Sequence, residues 1–259
     1  MKQTKTLCTY FGGSTLYHLM TPESDLDERG VFMHTDPAYI LGTKRFDEER
    51  TQNDETDRVL KELQHFSSLV RRSNSEAMEV LFCNESAFET LTDDFKRFRD
   101  RSMQFVDSKG LFNCLRGYMK GELRLACGER KGKIGGKRYE KLQEVGFSPK
   151  NATQLFRLAQ VGITFFSNSK YVVDTREFEC ELPTDSFDTF HEFLMAVKTQ
   201  PKQFTVDDVK KFAGWYEKQL ENSFETRNTN YTFNEKKFND FLLETYFPVV
   251  QQAYKDLRT

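Results

Sequence analysis

Two aspartates, Asp25 and Asp27, are the residues whose type and spacing most clearly indicate chemistry in this sequence. They stand at the start of a segment, Leu26 to Met33, that is predicted to be a strand. Because side chains alternate between the two faces of a strand, both carboxylates are expected on one face, about 6–7 Å apart. Taken alone, such a pair is more often a solvated strand end, but it is also suited to hold a divalent metal ion.

A glycine turn precedes the aspartates. Gly12 and Gly13 follow a predicted strand, Thr6 to Phe11, and let the backbone turn sharply and approach a ligand closely. Ser14 is expected to cap a short helix whose free N–H groups form an anion site. A phosphate-binding turn beside a metal-binding pair of carboxylates indicates phosphoryl or nucleotidyl transfer.

The order of these features, a strand, Gly-Gly, a helix and then D-x-D, resembles the signature of the DNA polymerase beta nucleotidyltransferase superfamily. The closer resemblance is to its RNA-repair, RNA-ligase-associated branch, in which Gly-Ser-x-x-Tyr-Gly is followed by Thr-Pro-x-Ser-Asp-x-Asp-x-Arg-Gly-Val. His18 stands where that branch usually has a glycine. The residues that fit the pattern are Ser14, Tyr17, Thr21, Pro22, Ser24, Asp25, Asp27, Arg29, Gly30 and Val31.

The resemblance implies a third carboxylate, because two metal ions share three acids in that superfamily. The branch places this acid just before a helix with a buried Phe nine residues later; Asp57 fits, nine residues before Phe66, and Glu55 is the reserve candidate. The apolar residues Leu60, Leu63 and Phe66 recur at helical spacing, which predicts an amphipathic helix from Asp57 onward. The local alternative is that both acids complement the dipole of that helix.

A second stretch resembles the same branch. Ser148 and Pro149 predict a helix start, and the segment that follows is similar to the branch's Lys-His/Asn-Ala-x-His-Leu-x-Arg-Leu helix, with Gln154 in place of the usual histidine. The two matching cations, Lys150 and Arg157, are seven residues apart on one helical face and are suited to bind phosphates. Without the resemblance they would be ordinary surface charges. The nucleotide-binding residues that the resemblance implies are Gly12, Gly13, Ser14, Arg29, Lys150 and Arg157.

The most basic stretch, residues 128–138, interleaves glycine with lysine and arginine. Such a loop is suited to meet a triphosphate or an RNA backbone, since those contacts are electrostatic and independent of sequence. A solvated surface loop is the alternative interpretation.

Composition narrows the class of protein. The 259 residues carry a net charge of −2, so no overall field favours nucleic acid or a membrane. Five cysteines without a C-x-x-C pair argue against a disulfide framework and a zinc site, and favour a reducing cytosol. Neither a signal peptide nor an apolar run of about 20 residues is visible. We therefore expect a cytoplasmic protein without a membrane association, located in the host cytoplasm if it is encoded by a phage.

These elements predict an α+β fold in two domains. Residues 1–105 are expected to form a small mixed-sheet, polymerase-beta-like nucleotidyltransferase domain, in which residues 43–56 make an exposed polar segment. Residues 106–259 are expected to form a mainly helical domain that completes the nucleotide and acceptor cleft, with apolar stripes that are core positions.

The resemblance implies that Asp25, Asp27 and Asp57 bind two Mg²⁺ ions, for which Mn²⁺ can substitute, and that the substrate is an NTP, with ATP expected first. The reaction would transfer a nucleoside monophosphate to a hydroxyl, with an RNA 3′ end as the expected acceptor. One alternative is a protein or small-molecule acceptor. Another is a non-catalytic module that binds RNA or protein, which the intact D-x-D disfavours. The sequence does not indicate an oligomeric state.

Overall fold

A mixed five-stranded sheet forms from the N-terminal part of the chain in the computed structural model, which describes residues 4–52, 56–129 and 136–256. Its strands are β1 (Thr4–Phe11), β2 (Leu26–His34), β3 (Glu48–Gln52), β4 (Thr56–Glu62) and β5 (Phe88–Leu91). Their order across the sheet is β3-β4-β2-β1-β5. The pair β2 and β4 is parallel, and the other neighbouring pairs are antiparallel.

Helices make up most of the remaining chain. The α-helices are α1 (Gly13–Leu16), α2 (Pro37–Ile40), α3 (Leu63–Arg71), α4 (Ser75–Phe82), α5 (Asp93–Arg99), α6 (Ser108–Ala126), α7 (Lys137–Val145), α8 (Pro149–Asn168), α9 (Phe190–Thr199), α10 (Val206–Thr226) and α11 (Glu235–Asp256). Short 3-10 helices occupy Glu85–Ala87, Ser102–Phe105, Thr175–Glu177 and Pro201–Gln203. A mixed sheet followed by helices confirms the predicted α+β class.

Strand β2 lies at the centre of the sheet, between β4 and β1. Val31, Phe32 and Met33 are consecutive and all buried, a pattern typical of a strand that is covered on both faces. This buried half anchors the strand, and its beginning, at Leu26, carries the polar residues of the candidate site.

The described part of the polar segment 43–56 is mostly exposed, as expected, but it contains the edge strand β3, which the sequence did not reveal. Charged residues are common on edge strands, which pair on one side only and leave the other side to solvent. The strand therefore has no hydrophobic alternation by which the sequence alone would reveal it.

The helix that was predicted to begin at Asp57 begins at Leu63 instead. Residues Thr56–Glu62 form β4, and α3 starts at Leu63. Val59 and Leu60 are adjacent and both buried, as in a strand covered on both faces, whereas Phe66 is buried from α3. Asp57 consequently lies on a strand and not in the first turn of a helix.

The chain divides into two compact units, which comprise Met1–Asp107 with Tyr231–Thr259, and Ser108–Asn230. Residues from 231 onward belong to the unit that contains the sheet, whereas the sequence analysis placed them in the domain of residues 106–259. Aromatic contacts are the physical reason: Phe241 stacks on Phe98 with ring centroids 4.1 Å apart, and Phe238 meets Phe105 edge-on at 5.1 Å.

The second unit is built around α8, which packs against α6, α9 and α10. Phe156, Phe193, Phe212 and Tyr216 form part of its aromatic core. Ser148 is the N-cap residue of α8 and is followed by proline, as expected, but its hydroxyl donates to Asn151 Oδ1 at 2.6 Å and does not cap a helix N–H. In neither unit does the described chain contain a helix that combines the length and the apolarity needed to cross a membrane.

Candidate active site

Parallel pairing of β2 with β4 brings two of the three expected carboxylates together. The two strands run in register, with Leu26 opposite Thr56 and Asp27 opposite Asp57. Paired residues on adjacent strands project from the same face of a sheet, and the strands lie about 4.8 Å apart. Asp27 and Asp57 therefore stand side by side, although 30 positions separate them in the sequence.

Arg29 joins the two carboxylates. Its Nη2 donates to Asp27 Oδ1 at 2.8 Å and to Asp57 Oδ2 at 3.1 Å. Its Nη1 donates to the main-chain carbonyls of Glu28, at 3.0 Å, and of Asp57. Arg29 is two residues after Asp27 on β2, so the alternation of the strand places both side chains on one face.

One oxygen of each carboxylate accepts a hydrogen bond from Arg29, and the other oxygen does not. Asp57 Oδ1 is buried and has no hydrogen-bond partner among the described residues; Arg50 Nε approaches it to 3.8 Å. Asp27 Oδ2 lies against Gly13, where a Cβ atom would come within 2.1 Å of it. An unpartnered buried oxygen on one acid, and a second acid oxygen kept accessible by a missing Cβ, are features that fit a divalent cation.

Asp25 is placed differently from the prediction. It precedes β2, which begins at Leu26, and its side chain is exposed. Pairing with β4 starts at Leu26, so no strand contact fixes Asp25 beside Asp27. Over residues 4–52, 56–129 and 136–256, no three Asp, Glu, His or Cys side chains converge closely enough to hold a metal ion. The predicted triangle of Asp25, Asp27 and Asp57 is therefore not closed, and the reserve candidate Glu55 lies outside the described residues.

The glycine turn packs directly onto the acids. The Gly12 N–H donates to the main-chain oxygen of Asp27 at 2.7 Å, and Gly13 adopts a φ of +57°, a left-handed conformation that favours glycine. Gly12, and not Ser14, is the N-cap residue of α1, without a side-chain cap; Ser14 lies within the helix, so its predicted capping role is wrong. His18 has a φ of +56°, which explains why the related pattern has glycine at its position.

A small pocket lies beside Arg29 and is lined by polar and apolar residues of the sheet, α3 and α4. Its wall includes Tyr10, Arg29, Lys61 and Glu76, and Lys61 Nζ donates to Glu76 Oε1 at 2.7 Å. Burial, reinforced by the charges of Glu76 and Glu79, raises the pKa of Tyr10 well above its ordinary value. Tyr10, Lys61 and Glu76 were not expected as site residues from the sequence. Strand alternation from Asp57 to Lys61 is the signal that places the lysine on the same face as Asp57.

The two cations expected on α8 do not share an exposed surface. Lys150 is exposed in the first turn of the helix, whereas Arg157 is 0% exposed and donates from Nε to Gln154 Oε1 at 3.2 Å. Burial and the charge of Lys150 lower the pKa of Lys198 on α9. Of the basic stretch 128–138, residues 130–135 lie outside the described residues.

Comparison with known proteins decides the family. The profile of the RNA repair pathway DNA polymerase beta family matches residues 2–244. The chain belongs to this family. The resemblance seen in the sequence is thereby confirmed, and membership identifies the chain as a polymerase-beta-like nucleotidyltransferase.

Among solved structures, this polymerase-beta family member is similar to a nucleotidyltransferase-like protein from Exiguobacterium sibiricum 255-15, known from a crystal structure at 1.90 Å resolution. The similarity covers 85% of this chain and 69% of the other, with 10% sequence identity and a TM-score of 0.30. A search of curated proteins found no match.

Proposed function

We propose that this nucleotidyltransferase transfers a nucleoside monophosphate from an NTP, in the first instance ATP, to a hydroxyl at an RNA 3′ end. The observation that carries the proposal is the in-register placement of Asp27 and Asp57, which puts two carboxylates side by side on one face of the sheet, both bound to Arg29. Family membership supports nucleotidyl transfer as the reaction class.

Asp27 and Asp57 are proposed to hold the catalytic Mg²⁺ ions through the oxygens that Arg29 does not use, and exposed Asp25 is proposed as the third donor. Magnesium bound there would supply the charge that activates the acceptor hydroxyl and neutralises the leaving pyrophosphate. The acceptor hydroxyl oxygen bonds to the α-phosphorus, and the bond from that phosphorus to the oxygen that joins the α- and β-phosphates breaks. Pyrophosphate leaves with that oxygen, and the hydroxyl proton passes to solvent.

Other residues are proposed to position the triphosphate. Gly12, Gly13 and Ser14 form the turn beside Asp27. The Gly12 N–H is bonded to the main-chain oxygen of Asp27, and the backbone N–H groups of Gly13 and Ser14 and the serine hydroxyl are suited to phosphate oxygens. Arg157 is not included, because its side chain is fully buried.

The test is an acceptor screen. The full chain is incubated with Mg²⁺ and each α-³²P-labelled NTP in turn, with total cellular RNA in one arm, cellular protein in a second and neither in a third. Label in RNA together with released pyrophosphate supports the proposal. Label in protein, or in a small molecule of the third arm, would replace the RNA acceptor with another class, and absence of transfer with every NTP would refute the proposal.

A further inference from the structure

The guanidinium of Arg29 is almost fully engaged by its neighbours. An arginine side chain carries five N–H donors, and Arg29 uses four of them. Two from Nη2 go to the carboxylates of Asp27 and Asp57, and two from Nη1 go to the main-chain oxygens of Glu28 and Asp57. The remaining donor is on Nε, which lies 4.0 Å from Glu76 Oε1, too far for a hydrogen bond. A triphosphate could reach only the Nε–H of Arg29 without first displacing one of these four bonds.

We propose that Arg29 is a positioning residue for the metal-binding carboxylates, in place of the nucleotide contact expected from the sequence. It fixes which oxygen of each acid is available: Asp27 Oδ1 and Asp57 Oδ2 are bound to Arg29, and Asp27 Oδ2 and Asp57 Oδ1 remain for the cation. This inference rests on the proposed function, since it concerns the same metal site.

Two features indicate that the guanidinium of Arg29 keeps its position when a metal ion binds and is not displaced by it. The main-chain oxygens of Glu28 and Asp57 anchor Nη1 independently of the carboxylates, so the guanidinium stays in place whether or not a metal is bound. The positive charge of Arg29 also offsets the repulsion between two acids on adjacent strands. Groups that orient metal ligands in this way typically change metal affinity by about 10- to 100-fold when they are replaced.

The test separates geometry from charge with R29K. Lysine keeps the positive charge, but its single ammonium cannot reproduce the planar fork that reaches two carboxylates and two carbonyls. The control is R58K: Arg58 is the neighbouring arginine on β4, and its Nε donates to Glu28 Oε1 at 2.8 Å, on the opposite face of the same two strands.

Mn²⁺ affinity is measured by titration of the free-ion electron paramagnetic resonance signal, and metal-free ATP affinity by calorimetry. We expect R29K to weaken Mn²⁺ binding by about tenfold, with ATP affinity unchanged and R58K like the wild type. Equal Mn²⁺ affinity in R29K and the wild type, or weaker metal-free ATP binding in R29K, would overturn the positioning role of Arg29 but not the proposed function. Tighter Mn²⁺ binding by R29Q would also overturn it, as evidence that the arginine competes with metal.

Wild-type protein that fails to bind Mn²⁺ would overturn the proposed function, and the inference with it. If R29K does not fold, a crystal structure of the wild type with Mn²⁺ and a non-hydrolysable NTP decides the question. Nη2 bonded to both Asp27 and Asp57 in that complex supports the positioning role, and a guanidinium on a phosphate oxygen refutes it.

Discussion

Replacing Gly13 with alanine tests the contact between the glycine turn and the acids. The backbone of Gly13 is left-handed, with a φ of +57°, which costs an alanine about 1–2 kcal/mol. The new Cβ atom would also lie 2.1 Å from Asp27 Oδ2, whereas real Cβ atoms essentially never approach closer than 3.0 Å. The carboxylate must therefore retreat by at least 0.9 Å, the difference between these two distances.

That movement breaks an interaction of known size. The carboxylate of Asp27 accepts a charge-assisted hydrogen bond from Arg29 at 2.8 Å, and such bonds contribute about 1.5–3 kcal/mol. Adding the backbone cost gives a loss of about 2.5–5 kcal/mol for Gly13→Ala. Gly42 is the matched control: its φ is +72°, but a Cβ atom there would meet nothing within 4 Å. Gly42→Ala should lose only the backbone cost, about 1–2 kcal/mol.

The assays are urea unfolding and Mn²⁺ titration of both variants beside the wild type. We expect Gly13→Ala to unfold at lower urea than Gly42→Ala and to bind Mn²⁺ more weakly, while Gly42→Ala keeps the wild-type Mn²⁺ affinity. If the two variants lose equal stability and both bind Mn²⁺ like the wild type, the close contact between Gly13 and the acid site is not real.

Two further predictions concern the packing of the C-terminal helix and of β4. Phe241→Ala should lower the free energy of unfolding by about 3–5 kcal/mol, because Phe241 is 3% exposed and stacks on an aromatic core; Phe247→Ala on the same helix, where the ring is 64% exposed, should change it by less than about 0.5 kcal/mol. Burial raises the pKa of Glu62, so the folded state holds this proton more tightly than the unfolded state, and stability contributed by Glu62 falls as pH rises from 4.5 through the raised pKa. Glu62→Gln should remove this loss, so the free energy of unfolding of the variant, measured in urea, should rise relative to that of the wild type between pH 4.5 and 7. A difference between the two proteins that does not change with pH would contradict the assignment.

The sequence singled out Asp27 and Asp57, which the structure brings together, but it did not predict the strand that carries Asp57. Asp57 was identified through its spacing to Phe66, yet the helix expected there is a strand. Leu60, Leu63 and Phe66 fit a helical repeat because the strand ends at Glu62 and the helix continues the apolar run. The register that sets Asp57 beside Asp27 joins distant segments, and no local pattern encodes it.

Long-range packing explains the other differences. The stacking of Phe241 on Phe98 joins the C-terminal helix to the first unit. The sequence around either phenylalanine indicates a buried position but not its partner. Arg29 was expected to reach the nucleotide because it matches a motif, whereas its four bonds to the acids and nearby carbonyls depend on the pairing of two strands. The burial of Arg157 follows likewise from helices packed around α8.

The most direct measurement is nucleotidyl transfer by Asp57→Asn compared with Glu28→Gln. Asparagine keeps the shape of Asp57 but removes its charge, whereas the Glu28 side chain pairs with Arg58 on the opposite face of β2 and β4. We predict that Asp57→Asn loses at least about 100-fold in the rate of NTP-dependent labelling, about 2.7 kcal/mol in the barrier, while Glu28→Gln keeps wild-type activity. Undiminished labelling by Asp57→Asn would contradict the central claim that the paired aspartates form the catalytic site.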